Sequence, residues 1–112
     1  MPRPVRLQVL PAAAHSIVEQ ADYYELKQNE VLALRWQLAV DKAIQSLLRS
    51  PRKGSPCRFP SPLLADLRRI PIPRFPKHYV FYRFTEEQNT LIVINVIHGA
   101  RDLESLLSTP LQ

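Results

Sequence analysis

A single cysteine, two glycines and the absence of any long apolar run exclude several protein classes at once. Cys57 stands alone among 112 residues, so no internal disulfide can form and no Cys/His spacing for a metal exists. No neighbouring His or acid would activate it, and it reads as a plain free thiol. No hydrophobic stretch approaches the ~18 residues of a membrane span, and the opening M-P-R-P has no apolar signal core. The expectation is a cytoplasmic chain without membrane, metal or cofactor. Gly54 and Gly99 are the only glycines, against eleven prolines. Ten of those prolines gather at 2–11, 51–62 and 71–76, where they punctuate between elements and leave the periodic segments clean.

What is present is an ordinary globular balance, 46% hydrophobic and 22% charged, enough for one modest core in a single domain spanning 1–112. The net charge of +5 is unevenly spread. Nine basic residues and one acid, Asp66, fall between Arg49 and Arg83. Residues 11–48 instead carry five acids against Lys27, Arg35 and Lys42. A basic region of this kind attracts nucleic acid or an acidic protein, although a solvated basic face would look the same.

Val5, Leu7 and Val9 alternate with polar residues, the pattern of a half-buried strand. Pro11 then suits a first helical turn. Ala14, Ile17, Val18, Ala21 and Tyr24 form the apolar side of a helix over about 12–27. After a break at Gln28-Asn29, a second helix runs over about 30–49, striped by Ala33, Trp36, Val40, Ala43, Ile44 and Leu47. Leu34 and Leu38 are offset from that stripe, so the apolar arc is wide: it buries two sides or leaves one for a partner. A proline-rich loop over 51–65 leads to a three-strand meander at about 67–72, 78–85 and 90–97. Pro71 in the first strand suits an edge. The third, T-L-I-V-I-N-V-I, reads as buried on both faces. It ends on His98-Gly99, where Gly99 is expected to supply a backbone angle other residues resist. A short helical tail over 100–107 closes the order β-α-α-β-β-β. The expected fold class is α+β, a mostly antiparallel sheet with an αα-hairpin packed on one face.

Three segments in this order, S-P-R-K-G, L-R-R-I-P-I-P-R-F-P-K-H-Y-V-F-Y-R-F and V-I-H-G-A-R-D-L-E-S-L-L, resemble the RelE/ParE superfamily of type II toxin–antitoxin toxins. The likeness covers Val5 to Leu107, and the last segment is closest to the ParE-like branch of plasmid stabilisation proteins. The resemblance implies a toxin that arrests growth by binding a cellular target, DNA gyrase above all. It also implies neutralisation by a cognate acidic antitoxin that folds on binding, giving a hetero-oligomer. RelE-like relatives are instead metal-independent endoribonucleases that cut mRNA on the ribosome. Where those carry sheet lysines and an arginine, this chain has Ile70, Ile72 and Tyr79, and their C-terminal tyrosine falls on Leu107. Only Arg101 stays in register. A phosphodiester-cleaving site needs a proton acceptor and cations converging on one phosphate. The resemblance therefore points away from an enzyme and leaves an mRNA interferase, with Arg83, His98 and Arg101 as a reduced catalytic set, as the alternative.

Contact residues for target or antitoxin are expected among Arg68, Arg69, Arg74, Arg83, Arg101 and Trp36. Arg68 and Arg69 point to opposite faces of one strand, so at most one sits under the helices. Arg83 shares a face with Tyr79 and Phe81; on an open sheet side, a cation beside aromatics is a competent contact surface. Trp36 also fits the core. His98 is a general base under the nuclease reading and a backbone-bonded strand-end residue otherwise.

Overall fold

The computed structural model describes residues 3–99 together with Leu103 and Leu107. Its elements are β1 (Arg6–Val9), α1 (Pro11–Lys27), α2 (Glu30–Arg49), β2 (Ser55–Pro56), a 3-10 turn (Pro62–Leu64), β3 (Arg68–Ile72), β4 (Phe75–Thr85) and β5 (Thr90–His98). The strands form one sheet in the order β1-β5-β4-β3-β2. Every pairing is antiparallel except β1 with β5, which is parallel, so the sheet is mixed and, as expected, mostly antiparallel. The hairpin of α1 and α2 makes the parallel pair possible, because a parallel return needs a crossover long enough to span the sheet.

Both helices begin for local reasons. Pro11 occupies the first turn of α1, where its missing N–H costs nothing. Asn29 caps α2, its Oδ1 accepting from the Leu32 amide at 2.8 Å. All six residues of the expected α2 stripe are buried. In α1 the buried line is Ala13 and Ala21, with Ile17 and Tyr24 packed beside them. Ala14 and Val18 lie one step off that line and face solvent, contrary to expectation.

β1 also departs from its pattern: all four residues are exposed. An edge strand with one parallel neighbour has too little cover to bury either face. β5, by contrast, sits between β1 and β4 and is buried along nearly its whole length. The 51–65 segment supplies β2 and the 3-10 turn where only loop was expected. β2 pairs only with Arg68 and Arg69, so Pro71 lies past its end on an open edge.

Two cores result, one on each face of the sheet. The hairpin side holds Trp36, Leu47, Ile72, Val80, Tyr82, Leu91, Val93 and Val96. The other side holds Leu64, Leu67, Phe81, Ile94, Ile97 and Leu107, with Leu103, Cys57 and Phe59 packed against them. A register shift in the β4–β5 ladder pairs Phe81 with Asn95 and Tyr82 with Val93, leaving Ile94 as the extra residue of a bulge. Asn95 Oδ1 accepts from the Val96 amide at 2.8 Å there. The bulge changes the phase of β5: odd residues Leu91 and Val93 face the hairpin before it, even Val96 after it.

Candidate functional site

The face opposite the hairpin is not an open cationic platform. Phe81 is completely buried, and the 3-10 turn and Leu107 close over it. Arg83 does share this side with Tyr79 and Phe81, but it is tied to the covering loop. Its Nη2 donates to the Leu63 carbonyl at 2.8 Å and meets the Asp66 carboxylate at 3.2 Å.

Arg68 and Arg69 diverge as expected. Arg68 Nη1 donates to the Gly54 carbonyl at 2.7 Å and to the Arg52 carbonyl at 3.3 Å, so it binds its own chain. Gly54 belongs there because a Cβ would fall 2.5 Å from Tyr82 Oη. The Gly54 amide instead donates to that oxygen at 3.0 Å. Burial pushes the Tyr82 phenol up, against the opposing pull of the Gly54 amide and Arg68. Arg69, on the other face, lies 4.7 Å over the Tyr79 ring. Burial likewise raises the Cys57 thiol, and Arg69 draws it part of the way back.

Trp36 has no exposed surface, so it is a core residue and no part of a contact surface. Its indole N–H donates to the Ile17 carbonyl at 3.0 Å, and its ring packs edge-on against Tyr24, Phe75 and His78. His98 joins this row, 5.1 Å from His78. The bulge is the reason: unbroken alternation from Leu91 would have turned His98 to the other face. Burial lowers the His78 pKa, and His98 lowers it further. Gly99 has no positive φ, so the expectation of a special backbone angle fails. It is small because a Cβ would sit 2.8 Å from Tyr79 Cε2 while its amide donates to the Lys77 carbonyl at 2.7 Å.

The two described members of the proposed nuclease set, Arg83 and His98, do not converge. His98 pairs with His78 and Arg83 with Ile92, five residues further along β4, about 17 Å at the usual strand rise. The two side chains also lie on opposite faces. Arg101 is outside the described residues. Among those residues no cluster of His, Cys, Asp or Glu could hold a metal ion, and no helix is long and apolar enough to cross a membrane.

A basic groove emerges elsewhere. Arg74 sits in the β3–β4 turn at φ 72°, after Pro73. It lines a pocket of about 380 Å³ with Arg35 and Lys42 from α2. A second pocket of about 410 Å³ shares Lys42 and Pro73 and extends to Lys53. Of the expected contact residues that are described, only Arg74 and Arg69 border this groove. Arg35, Lys42 and Lys53 were not anticipated, although Arg35 and Lys42 stand at i, i+7 on one helix face. A different surface covers the outer side of the hairpin, where Val31, Leu34 and Leu38 of α2 and Val18, Tyr23 and Leu26 of α1 are more than half exposed.

An αα-hairpin on a small mixed sheet with these exposed faces is the architecture of toxins from two-component toxin–antitoxin modules. The structure of a chromosomal ParDE system from P. aeruginosa matches with TM-score 0.69 at 14% identity, over 85% of this chain and 96% of that one. The RelBE2 complex from Mycobacterium tuberculosis matches at 0.59 with 20% identity, over 86% and 99%. The intact E. coli RelBE complex matches at 0.54 with 18% identity, over 87% and 99%. Among curated proteins none matches in sequence. The family described as the ParE toxin of the type II toxin–antitoxin system parDE matches residues 7–103, and the chain belongs to that family.

Proposed function

We propose that the chain arrests growth by binding and inhibiting DNA gyrase, with no chemistry of its own, and that a cognate antitoxin silences it. The observation carrying this reading is the filled sheet face. A metal-free ribonuclease needs a base and cations within hydrogen-bond reach of one phosphate. Here Arg83 is bound to Leu63 and Asp66, and His98 stands on the other face beside His78. Ile70 and Ile72, at positions where RelE-like nucleases carry lysines, are buried in the hairpin core. What the molecule offers is surface.

The antitoxin's place is the outer face of the hairpin, where Val31, Leu34 and Leu38 follow helical spacing with nothing over them among the described residues. A chain that folds on contact can lay an amphipathic helix along such a row. Solved ParDE and RelBE structures are toxin–antitoxin systems on the same fold, which supports a protein partner of this kind.

The deciding experiment runs purified protein in a gyrase supercoiling assay beside an in vitro translation assay. Loss of supercoiling with translation intact is the expected result. Cleaved mRNA on ribosomes, abolished by His98→Ala, would replace the reading with an interferase. Leu34→Glu with Leu38→Glu should leave gyrase inhibition unchanged and abolish rescue by the antitoxin.

A further inference from the structure

The basic groove between α2 and the β3–β4 turn adjoins the hairpin's apolar face at Leu38 and lies apart from the filled sheet face. Four cations, Arg35, Lys42, Lys53 and Arg74, are among the residues lining its two adjoining pockets, with no carboxylate beside them; Arg69 also borders the groove, but its guanidinium lies over Tyr79 on the far face. Among the described residues, Arg35, Lys42, Lys53 and Arg74 enter no salt bridge and are exposed. Arg35 and Lys42 lie two helical turns apart, about 10 Å along the axis of α2. Arg74 faces them across the groove from a turn position that favours glycine or asparagine. A cation kept in a left-handed conformation, where a cheaper residue would serve the turn, points to a use for the charge.

The groove's backbone says which kind of polyanion fits. An acidic peptide adding to the open edge of β3 would need amide donors there. Hydrogen-bonding groups alternate along a strand, and the Leu67 carbonyl already faces the β2 side, where it accepts from the Cys57 amide at 2.8 Å. Residues 69 and 71 follow on that side before β3 ends at Ile72; Arg69 is taken by Ser55, and residue 71 is a proline without an N–H. Recognition therefore falls to side-chain cations spaced along a channel, which suits a phosphodiester backbone. We propose that this groove binds the sugar–phosphate backbone of a nucleic acid, so that the toxin holds polynucleotide as well as a protein target. The inference stands whichever target the toxin arrests.

The test is fluorescence anisotropy of the full chain with short labelled duplex DNA, single-stranded DNA and single-stranded RNA across a salt series. Four groove cations on duplex DNA give an expected slope of log K against log salt of roughly −3 to −4. Whichever strand type binds most tightly identifies the source of the backbone. Lys42→Glu with Arg74→Glu should weaken binding by roughly tenfold or more and flatten the slope by about two. Arg6→Glu with Arg58→Glu makes the same change in net charge away from the groove and should leave most of the affinity. Because a charge reversal can perturb folding, Lys42→Gln with Arg74→Gly is measured alongside, with circular dichroism of each variant. Equal losses in the two charge-reversed pairs would overturn the proposal, since net charge alone would then explain binding. No binding to any strand at low salt would overturn it too. Saturable binding of an acidic helical peptide in the groove, with polynucleotide excluded, would give the site to a protein instead.

Discussion

The two faces of the sheet are both closed, but by unlike means. On one side two long helices with regular apolar stripes cover Val80, Tyr82 and Leu91. On the other, a proline-rich loop, one 3-10 turn and residues 103 and 107 cover Phe81 and Ile94. Regular elements bury a face through a repeating pattern. An irregular cover does it through single contacts such as Arg83 with Leu63 and Asp66, and it removes a surface that a catalytic reading would have left open.

The largest effects should come from removing one large core ring on each side. Trp36→Ala leaves a cavity under the hairpin and removes the indole bond to the Ile17 carbonyl; a loss of about 3–5 kcal/mol is expected from urea unfolding. Phe81→Ala should cost about the same if the loop packs as densely as the helices. A loss under ~2 kcal/mol for Phe81→Ala would show that the irregular cover yields, breaking the equivalence of the faces. Next comes Gly54→Ala, whose Cβ would meet Tyr82 Oη at 2.5 Å. A shift of about 1–3 kcal/mol is expected for such overpacking, read from the same denaturation curves.

A smaller change has the opposite sign. Arg74→Gly relieves a left-handed backbone and should stabilise the fold by about 0.5–1 kcal/mol, the gain reduced by the freer unfolded chain. If the thermal midpoint rises while polynucleotide affinity falls, the charge is held there against stability. The mildest effect is on pH. Folding depresses the His78 pKa below the ordinary value of 6.5, through burial first and His98 second. The unfolded chain therefore binds more protons in that range, and stability should be complete above about pH 6.5 and decline as pH falls below it. Thermal melts at pH 7.5 and 5.5 check the direction, and His78→Phe should flatten the difference.

Much of this was legible in the residues. The six apolar positions of α2 repeat at helical spacing, so that helix and its inward side were visible without a fold. β5 was equally plain, because eight nearly all-apolar residues bounded by a turn have few other fates. The candidate site was read less well. Trp36 was grouped with contact residues and lies in the core. The arginines of 68–83 were grouped as contact residues, yet Arg68, Arg69, Arg74 and Arg83 end in four surroundings. The groove draws Arg35 and Lys42 from the segment that looked mildly acidic. Segment charge is a sum along the chain, whereas a groove selects residues across it.

By itself the sequence determined the order of the longer elements, the inward line of α2 and the buried interior strand β5, since each follows from periodicity over a few neighbouring residues. Tertiary structure alone decided which face His98 occupies, because one extra residue at Ile94 reverses the alternation of β5. It alone decided the cover over Phe81 and the meeting of Arg74 with Arg35 and Lys42. Those depend on which distant segments pack together, and no local pattern carries that information.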